Sequence, residues 1–255
     1  MDLTALATVE GYTALAAGLM LGLGGIGAAI GMITSPKATY EDVVRSPRAF
    51  GILFLCALVI GISQGAPQFT ERGRQAALDM QVQQIERMTG QTVNDQMYKA
   101  MEQRSRFGGI FSVIGTMVFM PIWSLLVTSI LWAVFNAMLG GTATFKQVLA
   151  VVTHSSVPGA LGAAIGAPIQ LMQGTMSVGG PFNLGALVPM LDENSFLARF
   201  LGVTSVFTIW GIIVLAIGLA VLYRRKTRNI AIGLFTAYVV VAGSITAIFS
   251  RLGGR

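Results

Sequence analysis

The chain is poor in charge, in cysteine and in histidine. Only 11% of its 255 residues are Asp, Glu, Lys or Arg, against about 25% in an ordinary globular protein. So few charges cannot coat a water-soluble body, which excludes a soluble enzyme and a disordered chain. The single cysteine, Cys56, excludes an internal disulfide. The composition therefore indicates an integral membrane protein.

Hydrophobic residues form 54% of the chain and gather in long runs. A helix that crosses a bilayer needs roughly 20 mostly apolar residues, and no run shows the alternation of a barrel strand. The sequence therefore predicts an all-α, polytopic transmembrane helical bundle. Its five spans are predicted at about 49–65, 108–139, 145–172, 200–223 and 230–249.

Two segments lie outside these five spans. Residues 1–33 form an apolar, glycine-rich N-terminal segment, whose uncharged part, Tyr12–Ile33, is long enough for an additional transmembrane helix. Residues 66–107 are polar but carry apolar residues at helical spacing, which predicts an amphipathic extramembrane insert of two helices divided at Thr89–Gly90. Residues 34–250, including this insert, are predicted to form one transmembrane domain.

Glycine pairs four residues apart are typical of helices that pack closely in a membrane. Pairs of this kind within apolar runs predict helix-packing positions at Gly18, Gly22, Gly27, Gly31, Gly162 and Gly166.

Basic residues cluster in three short segments, namely 34–48, the loop at Lys146, and 224–228. The opposite short segment, 173–198, contains no Lys or Arg. Because cytoplasmic loops carry an excess of Lys and Arg, the three basic segments are predicted to face the cytoplasm.

The span at 145–172 is interrupted, and its candidate positions are His154, Ser155, Ser156 and Pro158. Proline inside a helix removes a backbone hydrogen bond, so we expect a kink between His154 and Gly162. His154 either binds a ligand or proton or donates a hydrogen bond to a neighbouring helix. Catalysis by His154 and Ser155 is not expected, since adjacent side chains diverge on a helix. No sequence motif predicts a catalytic residue, a cofactor site or a metal site.

The order of these features resembles the bacterial branch of the YIP1 (Yip1 domain) family of membrane proteins. The resemblance rests on SPKATYEDVVRSP at 35–47, on GGTATFKQVLAVVTHSSVPGAL at 140–161, and on VFTIWGIIVLAIGLAV in the fourth family span. It extends over about 33–249. Relatives often carry an acidic residue where this chain has Ser205, so a role that depends on that carboxylate does not carry over.

The resemblance implies a non-enzymatic scaffold that organises the membrane or binds partner proteins in the bacterial cytoplasmic (inner) membrane. The alternative is a permease for a small solute or an ion, with its site at the broken span 145–172. Expected partners are membrane lipids, other membrane proteins or a second copy of the chain. Nucleic acid is not expected, because the basic residues lie between apolar runs and form no clustered face.

Overall fold

The computed structural model describes residues 26–173, 179–188, 190–192 and 195–252. Of the N-terminal segment it describes only the last part, where residues 26–34 are helical. Most of the predicted Tyr12–Ile33 span, including Gly18 and Gly22, therefore lies outside the described residues, and the sixth span stays a prediction.

Regular structure in these ranges is helical, with no β-strand, which confirms the all-α prediction. After the helical residues 26–34, ten α-helices follow: α1 (Pro36–Arg45), α2 (Phe50–Gly65), α3 (Glu71–Thr89), α4 (Asp95–Ser105), α5 (Gly108–Trp132), α6 (Phe145–His154), α7 (Val157–Gln173), α8 (Phe196–Val203), α9 (Val206–Tyr223) and α10 (Thr227–Leu252). A 3-10 turn, Ala66–Phe69, extends α2, and a π-helical turn, Ala133–Met138, extends α5.

Five helical segments of the described chain are long and apolar enough to cross a bilayer, as the sequence predicts. They are Phe50–Phe69, Gly108–Met138, Phe145–Gln173, Val206–Tyr223 and Thr227–Ile248. The run predicted as one span at 200–223 is divided, because α8 ends at Val203 and Ser205 caps a new helix. The Ser205 hydroxyl accepts a hydrogen bond from the backbone N–H of Thr208 at 3.1 Å, the usual role of an N-cap serine.

The core lies where α1, α6 and α9 meet beside α2. The side chains of Tyr40, Val148, Val151 and Leu219 are completely buried there. The short helix α1 is thus packed into the bundle. By contrast, α5 and α10 flank the bundle and expose long apolar faces. Such faces are expected of helices that contact lipid.

The insert after α2 folds as the helices α3 and α4. The hydroxyl of Thr70 caps the start of α3, and Asn94 caps the start of α4. Between them Gly90 takes a left-handed conformation, with φ of 70°, which glycine adopts without steric cost. The first half of α3 buries Ala76, Ala77 and Leu78, so the insert packs against the bundle and does not extend freely from it.

Candidate functional site

The broken span has its break at Ser155 and Ser156. Helix α6 ends at His154 and α7 begins at Val157. The second residue of α7 is Pro158, a first-turn position where proline loses no helical hydrogen bond. The interruption therefore precedes the proline, and Pro158 is compatible with the helix that follows.

The side chains of His154 and Ser155 at the break bond to backbone carbonyls of α6. The Nδ1 atom of His154 lies 2.7 Å from the carbonyl oxygen of Ala150, which accepts the hydrogen bond. The hydroxyl of Ser155 donates to the carbonyl of Val152 at 2.7 Å. The sequence left open a hydrogen bond from His154 to a neighbouring helix. In the structure the histidine bonds within its own helix. With 3% of its surface exposed, His154 stands inside the packed core.

A cavity of about 580 Å³ lies beside α7, on the far side of the break from α6. Its wall on α7 consists of small residues and one amide: Gly159, Gly162, Ala163, Ala167 and Gln170. Because these residues carry little or no side-chain bulk, α7 leaves room that its larger neighbours do not fill.

The other walls bring hydrogen-bonding side chains from four further parts of the chain. They come from the end of α2 with its 3-10 turn, from α3, from α5 and from α9. The polar members are Ser63, Gln64, Gln68, Gln81, Gln84, Ser112, Ser205 and Thr208. Together with Gln170 they define what we call the glutamine-lined cavity.

None of the described lining residues of the glutamine-lined cavity is charged. A glutamine amide carries two N–H donors and one carbonyl acceptor, and a hydroxyl both donates and accepts. Some of these groups bond within the protein: the amide of Gln68 donates to the backbone carbonyl of Gln64, and the hydroxyls of Ser205 and Thr208 bond to each other. Such a lining suits a neutral molecule with several hydrogen-bonding groups. It offers no charge opposite to that of an ion, so it favours a neutral ligand over an ion.

The predicted packing glycines of α7 lie close to two residues that line this cavity, Phe207 and Pro181. A Cβ atom on Gly162 would lie 2.6 Å from the ring of Phe207, and one on Gly166 would lie 3.1 Å from Pro181. Of the N-terminal pairs, Gly31 packs against Thr39, whereas a Cβ atom on Gly27 would meet nothing within 4 Å.

The loop at 179–188, which precedes α8, is fixed over the cavity by backbone hydrogen bonds to the start of α9. The N–H of Leu184 donates to the carbonyl of Thr204 at 2.8 Å, and the N–H of Val206 donates to the carbonyl of Phe182 at 3.1 Å. The ring of Phe182 packs edge-on against Phe207, with centroids 5.3 Å apart. This side of the cavity is therefore a defined wall.

Sequence reasoning did not find the glutamines of α3. Their signal is the spacing of Gln81 and Gln84, which places both on one helix face, while Gln83 does not line the cavity. Among the described residues, no three His, Cys, Asp or Glu side chains come together as a metal site.

Comparison with known proteins gives two matches of different kinds. The family model of the Yip1 domain matches residues 30–249. The chain is similar to the membrane protein YknW of Bacillus subtilis (strain 168), with 23% identity over 225 residues, which cover 88% of each chain. No solved structure matches the chain.

Proposed function

Because this chain belongs to the Yip1 domain family and is an integral membrane protein with several spans, we propose that it is a non-enzymatic partner-binding scaffold of the bacterial cytoplasmic membrane. The partner contributes a neutral segment, which binds in the glutamine-lined cavity. The observation that carries this proposal is the uncharged, hydrogen-bonding lining of that cavity.

A segment of polypeptide is the ligand class that such a lining fits best. Every peptide unit presents one N–H donor and one carbonyl acceptor, and the glutamine side chains can bond to both. The volume of about 580 Å³ lies within the roughly 300–1,000 Å³ of ordinary ligand sites. It is large enough for a few residues of a partner chain.

The packing beyond the cavity favours binding over passage. Packed side chains lie between the glutamine-lined cavity and the C-terminal end of α9. Val151, Val214 and Leu219 each expose at most 1% of their surface there. His154 is enclosed beside them. A solute that entered the cavity would meet this core and would need it to open.

A permease is the second candidate, and one observation favours it. The cavity reaches Gly159, just past the break, and α7 also contains Pro168. Broken helices at the middle of a membrane often form the substrate sites of transporters. In this alternative the same cavity holds a neutral solute, and the core beneath it opens during transport.

Photo-crosslinking from the cavity tests the scaffold proposal. A photoreactive amino acid replaces Gln84, which lines the cavity, or Gln83, its neighbour on the same helix, which does not line it. Both side chains are exposed, so the two positions differ in the direction they face and not in accessibility. We expect a stoichiometric protein adduct in native membranes from position 84 and none from position 83. Equal adducts at both positions, or none at either, would contradict a partner in the cavity.

Proteoliposomes test the alternative. Uptake of labelled neutral solutes by the purified chain, abolished when the cavity is filled by Ala163→Leu, would support a permease and reject the scaffold. The control is Ala164→Leu, because Ala164 is exposed next to the cavity residue and does not line the cavity.

A further inference from the structure

A second cavity, of about 680 Å³, lies at the opposite end of the bundle. Helix α9 connects the two, since Thr208 lines the first cavity and Val221 lines the second. Thirteen residues of helix separate them, which is about 20 Å. The second cavity is formed by α1, the loop after α5, the start of α6 and the end of α9.

Arginine side chains dominate the charge of this second cavity. Arg45, Arg224 and Arg225 line it, and Glu41 is the single acidic residue among its described lining residues. In the part of the chain that the structure describes, none of the three guanidinium groups forms a salt bridge. Three positive charges therefore meet at one cavity without a bonded carboxylate. We call it the arginine-lined cavity.

Hydrogen bonds between neighbouring elements fix the walls of this cavity. One guanidinium N–H of Arg225 donates to the carbonyl of Leu139 at 2.8 Å. The hydroxyl of Tyr223 donates to Oδ1 of Asn136 at 2.9 Å, and the amide of Asn136 donates to the carbonyl of Ala143 at 2.6 Å. The loop after α5 is thereby tied to the end of α9, which gives the cavity a defined shape.

Arg224 occupies a backbone position at which glycine is usual. It ends α9 in the left-handed conformation, with φ of 52°, and is the one non-glycine residue with positive φ in the described chain. The left-handed conformation costs an ordinary residue about 1–2 kcal/mol, and glycine is the common residue where a helix ends this way. Arg224 thus places a charged side chain at this end of α9 at a backbone cost that glycine would avoid.

We propose that the arginine-lined cavity binds a phosphate group, and that this group belongs to the headgroup of an anionic phospholipid. Guanidinium groups bind phosphate oxygens through paired, charge-assisted hydrogen bonds. Basic pockets between transmembrane helices are known sites for anionic headgroups. This inference is independent of the glutamine-lined cavity at the other end.

The surroundings of the cavity favour a lipid over a soluble anion. The indole N–H of Trp132 donates to the carbonyl of Ala143 in the cavity loop, and tryptophan is typical of the membrane interface. Met138 and Leu139, at the start of the same loop, are exposed apolar residues beside the cavity. A lipid whose headgroup lies in the cavity can therefore place its acyl chains against the apolar surface of Met138 and Leu139.

Lipid binding to the purified full chain in detergent tests the proposal by native mass spectrometry. The probes are phosphatidylglycerol, phosphatidylcholine and, in a separate dialysis experiment, inorganic phosphate. The test variant is Arg45→Gln with Arg224→Asn, since asparagine tolerates the left-handed conformation. The control variant, Arg72→Gln with Arg104→Gln, removes the same charge from exposed positions on the insert.

We expect one phosphatidylglycerol to bind the wild type in preference to phosphatidylcholine. In the test variant its affinity falls about tenfold or more, because charge-assisted hydrogen bonds are lost, while the control variant keeps its affinity. A different outcome is that inorganic phosphate binds, that only the test variant loses this binding, and that the chain does not prefer one lipid over the other. This outcome would support a phosphate site but contradict a lipid as the source of the phosphate. Equal losses in both variants, or no binding of either probe, would overturn the proposal.

Discussion

The hydroxyl of Tyr40 on α1 donates a hydrogen bond to the carbonyl of Val151 on α6, at 3.3 Å and across 111 residues of sequence. The ring of Tyr40 is fully buried and lies against Gly218 of α9. One side chain thus joins three helices. The short helix α1 is consequently a structural part of the bundle, although it is far too short to span a membrane.

The first prediction concerns Gly218, where a side chain has no room. A Cβ atom there would lie 2.6 Å from the Tyr40 ring and 2.7 Å from Val151. Gly218→Ala should therefore lower the free energy of unfolding in detergent by about 1–3 kcal/mol. The control is Gly233→Ala, where a Cβ atom meets nothing within 4 Å. Equal stability of the two variants would contradict the described packing of α1.

The second prediction isolates the Tyr40 hydroxyl. Tyr40→Phe keeps the ring and removes one hydrogen bond, so it should cost about 0.5–1.5 kcal/mol in the free energy of unfolding. The loss stays small because the carbonyl of Val151 also accepts from the N–H of Ser155 at 3.1 Å. Tyr98→Phe is the control, because the Tyr98 hydroxyl also takes part in one hydrogen bond, accepted from Gln75 at 3.1 Å, but in an exposed pair. Chemical denaturation in detergent is the measurement. A larger loss from the control would show that Tyr40 does not hold α1 in place.

The third prediction concerns orientation in the membrane. The basic segments at 34–48 and 224–228 should face the cytoplasm, because Lys and Arg accumulate in cytoplasmic loops. Single cysteines in a Cys56→Ala background test it at Met190 and Thr227, both exposed. In intact cells an impermeant thiol reagent should modify Met190→Cys and leave Thr227→Cys unmodified. Modification of Thr227→Cys and protection of Met190→Cys would contradict the predicted topology.

The fourth prediction concerns the glutamine-lined cavity. Ala163→Leu adds three carbon atoms to its wall and should remove the crosslink formed from position 84, whereas Ala164→Leu should retain it. The reason is steric, because leucine at 163 occupies volume that the partner segment needs. Quantifying the adduct on gels of native membranes measures the effect. A crosslink that survives Ala163→Leu would place the partner elsewhere.

The spans and the family could be predicted from the sequence because both depend on local patterns. Bilayer thickness sets the length of each apolar run, and the family resemblance rested on three short motifs in order. The family model matches 30–249, which confirms the resemblance. The division of the insert at Thr89–Gly90 could also be predicted, because glycine takes the positive φ that ends a helix without steric cost.

The cavities could not be predicted, because each depends on residues that are distant in the sequence. Ser63 and Thr208 line the same cavity although 145 positions separate them. Nor does the local pattern at 200–223 reveal the division before α9, since Thr204 and Ser205 differ little from other polar residues within spans. At the division the Ser205 cap is joined by a tertiary contact, the hydrogen bond of 2.9 Å between the hydroxyls of Thr204 and Tyr238.

The most direct test of the central claim is a density map of the full chain, purified from its native membrane into nanodiscs. We predict density for an extended, neutral polypeptide segment in the glutamine-lined cavity, within hydrogen-bond distance of Gln81 and Gln84 on α3. The core around His154 should remain closed beneath it. An empty cavity, or a continuous open path past His154 to the arginine-lined end, would contradict the scaffold account.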